Sequence, residues 1–156
     1  MADRFPCEVE VGGNITISQL KEVIAAAIAD GASLDWGLGE PTLEDALAQI
    51  EEEGTLHFMD DQASYGEMRC VTGALGKLKI PYIQKSDAAY EYDASVVLFD
   101  GETSREFNGT QNGELLCSMD DVKNAIEMLK NGESDKALEH LESVCPNCEI
   151  PPLKII

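Results

Sequence analysis

From Glu22 to Met68 the chain contains no Lys or Arg, yet it carries twelve Asp and Glu. The charge is thus segregated in sequence, since the chain's eleven bases all lie outside this stretch. A second base-free stretch, Ser86 to Ser104, adds Asp87, Glu91, Asp93, Asp100 and Glu102. Over the whole chain thirty Asp and Glu face eleven Lys and Arg, a formal net charge of −19. Small domains usually carry a net charge of about 2–8 in magnitude, and an excess of this size sets the compact state against its own repulsion. It also argues against nucleic acid or an anionic membrane as a direct partner, since both would be repelled.

With 156 residues, 44% of them hydrophobic, the chain has the usual size of one domain and enough apolar side chains for a core. We expect a single domain over residues 1–156. The opening Met-Ala-Asp-Arg-Phe-Pro-Cys has no basic flank followed by an apolar region, so no export signal is expected. The apolar stretch around Val23–Ala29 is too short to span a membrane. Five cysteines, at positions 7, 70, 117, 145 and 148, read as reduced thiols of a cytoplasmic protein. Cys70 and Cys117 have apolar neighbours and are expected in the core.

Phe5–Val11 alternates and reads as a strand, closed by Gly12-Gly13-Asn14. Thr16 and Gln19 form a capping box for a helix with Ile17, Leu20, Ile24, Ala27 and Ile28 on one face. Ala25, Ala26 and Ala29 predict burial on further sides, and Gly31 ends the helix. After a loop containing Trp36, Thr42 caps a second helix with Asp45 in the box position. Leu43, Ala46, Leu47 and Ile50 form its apolar stripe and Gly54 stops it. Thr55–Met59 reads as a strand, with Asp60 or Asp61 capping a helix to about Lys77. Lys79–Gln84 and Tyr90–Phe99 read as strands, and Asp100-Gly101 as a type I′ turn into Thr103–Phe107. Leu115–Cys117 reads as a further short strand. Ser118 and Asp121 cap a helix expected to turn Val122, Ala125, Ile126 and Leu129 inward; Gly132 ends it. Ser134 caps a last helix to about Val144. The order predicts an α+β fold, with a mixed or antiparallel sheet of about four to six strands packed with about five helices.

The pattern Leu56-x-Phe58-x-Asp60-Asp61-x-Ala63-x-Tyr65-Gly66-Glu67, then Ile80-Pro81-Tyr82, then Ser86-Asp87-Ala88-x-Tyr90-Glu91-Tyr92-Asp93 resembles uncharacterised acidic proteins of phages, plasmids and other mobile elements. The two-helix ending with its proline-rich tail is similar as well. The resemblance implies a mobile-element origin; it implies no known activity and transfers no catalytic residue.

The second helix is the most informative carrier of charge. Its C-terminal end bears Glu51-Glu52-Glu53, where the helix dipole disfavours each carboxylate by about 0.3–1 kcal/mol at low salt. The three also repel one another, and no Lys or Arg lies within a turn. Folding alone would favour bases there. Glu44, Asp45, Glu51, Glu52, Glu53, Asp60 and Asp61 are therefore candidate phosphate surrogates for the basic cleft of a nucleic-acid-handling protein, the alternative being a solvated acidic face that serves only solubility or salt adaptation. With a mobile-element origin, that partner would be a host defence protein of CRISPR or restriction type. Tyr90-Glu91-Tyr92-Asp93 would put tyrosines on one strand face and acids on the other, either as an aromatic packing cluster with Tyr82 or as a hot spot for a partner's Arg or Lys. The alternative class is a small metal or structural protein. Cys145-Pro-Asn-Cys148, with His140 upstream and Cys117 or Cys70 as a distant fourth ligand, is half of a zinc pattern, and its bland reading is a turn in which Pro146 stops the last helix. His57 with Asp60 and Asp61 offers a weaker set of ligands. The sequence carries no G-x-S-x-G, H-E-x-x-H or P-loop, and we expect neither an enzyme nor a cofactor.

Overall fold

The alternation of Arg4–Val11 (β1) does what period two requires. Phe5, Cys7, Val9 and Val11 are buried, while Glu8 and Glu10 point to the opposite side. The computed structural model describes residues 3–89, 91–110 and 112–156. After β1 come Asn14–Ile15 (β2), Ile17–Asp30 (α1), Leu43–Glu53 (α2), Leu56–Ser64 (β3), Arg69–Leu78 (α3), Tyr82–Ser86 (β4), Ser95–Phe99 (β5), Ser104–Asn108 (β6), Met119–Lys130 (α4), Ser134–Val144 (α5) and Lys154–Ile155 (β7). The main sheet is antiparallel throughout, in the order β3-β1-β4-β5-β6, and β2 pairs with β7 in a small parallel sheet. The protein is an α+β single domain with five helices among the described residues, as the element order predicts. None of these helices is long and apolar enough to cross a membrane.

The core lies between the β3-β1-β4 side of the sheet and three helices. Val9, Val11, Leu56, Phe58 and Tyr82 meet Leu20, Val23, Ile24 and Ala27 of α1, Ala46 and Ile50 of α2, and Val71 and Leu75 of α3. The C-terminal tail closes the molecule. Leu153 is buried in this core, and the Lys154 N–H donates to the Gly13 carbonyl at 2.8 Å. The tail passes so close to Gly12 that a Cβ there would collide with the Pro151 carbonyl.

Several expectations are corrected. α1 is buried on one side only: Ala25 and Ala29 are exposed, and Ile17 and Ile28 stand at its edge. Alanine fits either side of a helix, so its abundance does not report burial. Asp60 and Asp61 start no helix, because β3 runs through them to Ser64. Asp60 pairs with Cys7 of β1, and Asp61 and Gln62 fall opposite Pro6, which has no N–H for the ladder, so the register slips by one residue between Phe5 and Cys7. α3 begins only at Arg69, and its missing cap comes from afar. The Asp30 carboxylate, at the end of α1, accepts from the Cys70 and Val71 N–H groups at 2.9 Å each. Cys70 and Cys117 are exposed; Cys7 is the cysteine in the core, its thiol pushed up to about 12 by burial.

The strand expected over Tyr90–Phe99 starts only at Ser95. Tyr90 lies outside the described residues, and Tyr92 sits in a tight bridge to Ala89. The turn after β5 is closed by the Asp100 carboxylate. It accepts from the Glu102 and Thr103 N–H groups at 2.8 Å each, which holds its pKa down to about 2, so this is an Asx-type turn rather than a bare type I′ one. Leu115 makes only an isolated bridge to Gly109. Ser118 and Asp121 form the expected capping box of α4, but Glu133 precedes α5 and no side chain caps it. Ala125 is buried as expected, but Ile126 and Leu129 do not turn inward: α4 and α5 pack chiefly on each other, and these two positions stay exposed.

The remote cap gives a direct test. Replacing Asp30 with Ala should lower unfolding free energy by about 1 kcal/mol. Its hydrogen bond is also the main cause that raises the Cys70 pKa, so Cys70 should alkylate faster in the same variant. Urea unfolding and iodoacetamide kinetics read both effects; an unchanged alkylation rate would remove Asp30 from this role.

Candidate functional site: an acidic groove on the second helix

α2 is amphipathic with period 3.6, and its three sides take three different tasks. Ala46 and Ile50 are buried, with Leu43 and Leu47 partly so. Asp45, Ala48, Gln49, Glu52 and Glu53 stand at i, i+3, i+4, i+7 and i+8 and form the wall of a groove of about 460 Å3. Glu44 and Glu51, seven residues apart, lie outside it on the third side. The opposite wall is the loop before α2, which contributes Leu34, Asp35, Leu38, Gly39, Glu40 and Pro41. Five carboxylates (Asp35, Glu40, Asp45, Glu52 and Glu53) thus line an otherwise largely apolar cleft, and no lining residue is Lys or Arg.

One side-chain amide ties the two walls together. Gln49 donates from Nε2 to the Leu34 carbonyl at 3.3 Å, and its Oε1 accepts from the His57 N–H at 3.0 Å. The loop is also tied to the outer edge of β3, where Ser33 and Met59 exchange backbone bonds of 2.9 and 2.8 Å. Thr42 caps α2 by accepting from the Asp45 N–H at 3.2 Å, and the Asp45 carboxylate accepts from the Thr42 hydroxyl at 2.6 Å. The box is therefore only half closed, which leaves the second Asp45 oxygen free for the groove.

His57 supplies the relief that the acids of α2 lack in the sequence. On β3 it points away from the core, between Glu8 at 3.1 Å from Nδ1 and Glu53 at 3.7 Å from Nε2, with the Thr55 hydroxyl 2.9 Å from Nε2. Glu10 lies directly across the ladder from it. The hydrogen bond to Glu8 raises the His57 pKa above the ordinary 6.5 against the opposing effect of burial, and the carboxylates of Glu10, Glu8 and Glu53 add to the rise. The same hydrogen bond lowers the pKa of Glu8.

The structure separates the other candidates. Asp60 and Asp61 lie farther along β3 and do not enter the groove; the Asp60 carboxylate accepts from the Gln62 N–H at 2.9 Å. Tyr92 and Asp93 line a different, more polar cleft with Phe5 and Tyr65, and Glu91 is exposed beside it. There Tyr92 stacks on Phe5 at 5.6 Å and meets Tyr65 edge-on at 6.4 Å, while Tyr82 packs on Phe99 instead. Cys145 follows the end of α5, and the Cys148 thiol turns toward the Pro146 carbonyl. His140 is held near Asp121 of α4, at 3.5 Å. Among the described residues no three His, Cys, Asp or Glu side chains converge as metal ligands. The sequence pattern did not show Asp35 and Glu40 joining Asp45, because that meeting depends on the course of the loop before α2, which Gln49 and the Ser33–Met59 bridge tie down. Compared with family models, curated proteins and solved structures, the chain finds no match.

The His57 cluster sets a pH dependence. A raised His57 pKa stabilises the fold fully below 6.5, and this contribution is lost as pH rises through the folded-state value. A lowered Glu8 pKa stabilises above 4.5 and is lost as pH falls through its own folded-state value. Stability from the pair should therefore peak between the two. Glu8→Gln should flatten the profile on both sides in urea unfolding from pH 4 to 9, and an unchanged profile would show that the pair contributes nothing.

Proposed function

We propose that this protein acts by binding rather than by catalysis, and that its acidic groove receives Lys and Arg side chains from the basic cleft of a nucleic-acid-handling protein. The observation that carries this reading is the set of five carboxylates around one cleft with no base among them. Carboxylates spaced along a helix and a facing loop present negative charge as a phosphate backbone does, and they meet the same cations that would otherwise exchange counterions with nucleic acid. The apolar side chains of Leu34, Leu38, Pro41 and Ala48 in the two walls suit the methylene stems of Lys and Arg. Occupying such a cleft blocks its nucleic acid, so the protein is an inhibitor that imitates DNA or RNA. The resemblance to proteins of phages and other mobile elements supports a host defence protein, of CRISPR or restriction type, as the target in the host cytoplasm. Association is fast and weakens with salt.

The geometry allows a test in which net charge is controlled. Glu40→Lys with Glu52→Lys reverses two groove acids, and Glu44→Lys with Glu51→Lys makes the same change in net charge outside the groove. With each protein as bait in a low-salt pull-down from host lysate, the unmodified chain should retain a nucleic-acid-binding protein that salt releases and DNA or RNA displaces. The groove variant should bind it at least about tenfold more weakly, and the outer variant should stay close to the unmodified chain. Equal losses in both variants would reduce the effect to net charge and sink the groove assignment.

A further inference from the structure

α4 and α5 form a hairpin joined by only three residues, so the two helices run antiparallel. Ala125 and Ala137 are buried in it, and each helix packs chiefly on the other. On α4, Met119, Val122, Ile126 and Leu129 follow one another at intervals of three, four and three residues, the spacing of a helix-bundle seam. Leu138 and Leu141 continue the same side on α5. Met119, Ile126, Leu129, Leu138 and Leu141 are between 37% and 69% exposed, although such a seam is stable only when covered.

The charge along this face indicates what covers it. Lys123 and Lys130, seven residues apart, border the seam on α4, each with an acid three residues before it (Asp120 and Glu127); Asp135 and Glu142, also seven apart, border it on α5. The lysines stand on one rim and the acids alone on the other, in a chain whose acids outnumber its bases by thirty to eleven. Such a face complements itself. Of the two ways a second copy could meet it by a two-fold rotation with helices aligned, one stacks lysine rims on lysine rims. The other lays α4 on the partner's α5 and brings each lysine rim to an acidic rim. Lys123 already contacts Asp120 at 3.3 Å, but this exposed pair holds it weakly and leaves it free to exchange partners.

We propose that this face is the interface of a symmetric homodimer, in which α4 of each copy lies on α5 of the other and the two hairpins form a four-helix bundle. α4 is about 18 Å long at 1.5 Å per residue, so the interface is at the small end of specific ones and dimerisation should depend on concentration.

Sedimentation velocity on the full chain, over a wide concentration range, tests this. The mass should rise from 16.9 kDa toward twice that value as concentration increases. Ile126→Glu with Leu138→Glu should raise the dimer dissociation constant at least about 100-fold while leaving the circular dichroism spectrum intact. Lys123→Glu with Lys130→Glu should weaken the dimer about tenfold, and adding Asp135→Lys with Glu142→Lys should restore most of the loss, which a folding defect would not do. A chain monomeric at every concentration would leave the seam to a different protein and overturn the proposal. A dimer indifferent to Ile126→Glu, or a charge exchange without rescue, would overturn it equally.

Discussion

The placement of β1 between β3 and β4 sets both the core and the charge of this molecule. Val9 and Val11, with no exposed surface, lie beneath α1 and α3, and losing either would open a cavity at the centre of the core. Their neighbours Glu8 and Glu10 are forced by the same alternation to the opposite face, where His57 on β3 meets them. A slip of one residue would bury two carboxylates and expose the core. The pairing of β1 is therefore fixed from both faces, and through His57 and Gln49 it fixes the floor of the acidic groove.

Elsewhere the acids that stabilise the fold do so by accepting backbone N–H groups. Asp30 caps α3, Asp121 closes the capping box of α4, and Asp100 closes the hairpin turn. Two of the groove acids differ. Glu40 and Glu52 accept no backbone N–H and pair with no base among the described residues, and Glu52 lies at the negative end of its helix, whose last turn holds no base. Its position opposes the electrostatic interest of the folded chain. Such opposition is expected where charge is held ready for a ligand.

What the sequence revealed depended on how far apart the interacting groups lie. The Thr16 and Ser118 capping boxes were legible because cap and partner are three residues apart. The start of α3 was not, because its cap is Asp30, forty residues earlier, and the two aspartates just after Met59 offered a local alternative that the pairing of β3 with β1 overrules. Periodicity gave the apolar stripes of α2 and α4 equally well. It could not show that the sheet covers the first and that the second remains open. Of the candidate site, Asp45, Glu52 and Glu53 were legible as acids on a wet helix side. Their separation from Glu44 and Glu51 follows from the helical period, and their meeting with Asp35 and Glu40 from a loop that Gln49 and the Ser33–Met59 bridge tie down.

The central claim, that the groove carboxylates are kept for a partner against the needs of folding, is tested most directly by thermal unfolding of a Glu40→Gln, Glu52→Gln variant beside the unmodified chain. At low ionic strength the neutralised protein should melt at a higher temperature, by a few tenths to about 1 kcal/mol in stability. The difference should fade in molar salt, where charges are screened within about 3 Å. If the variant melts lower than the unmodified chain at low salt, these carboxylates hold the fold together, and the account of the groove as a surface held ready for a basic partner is contradicted.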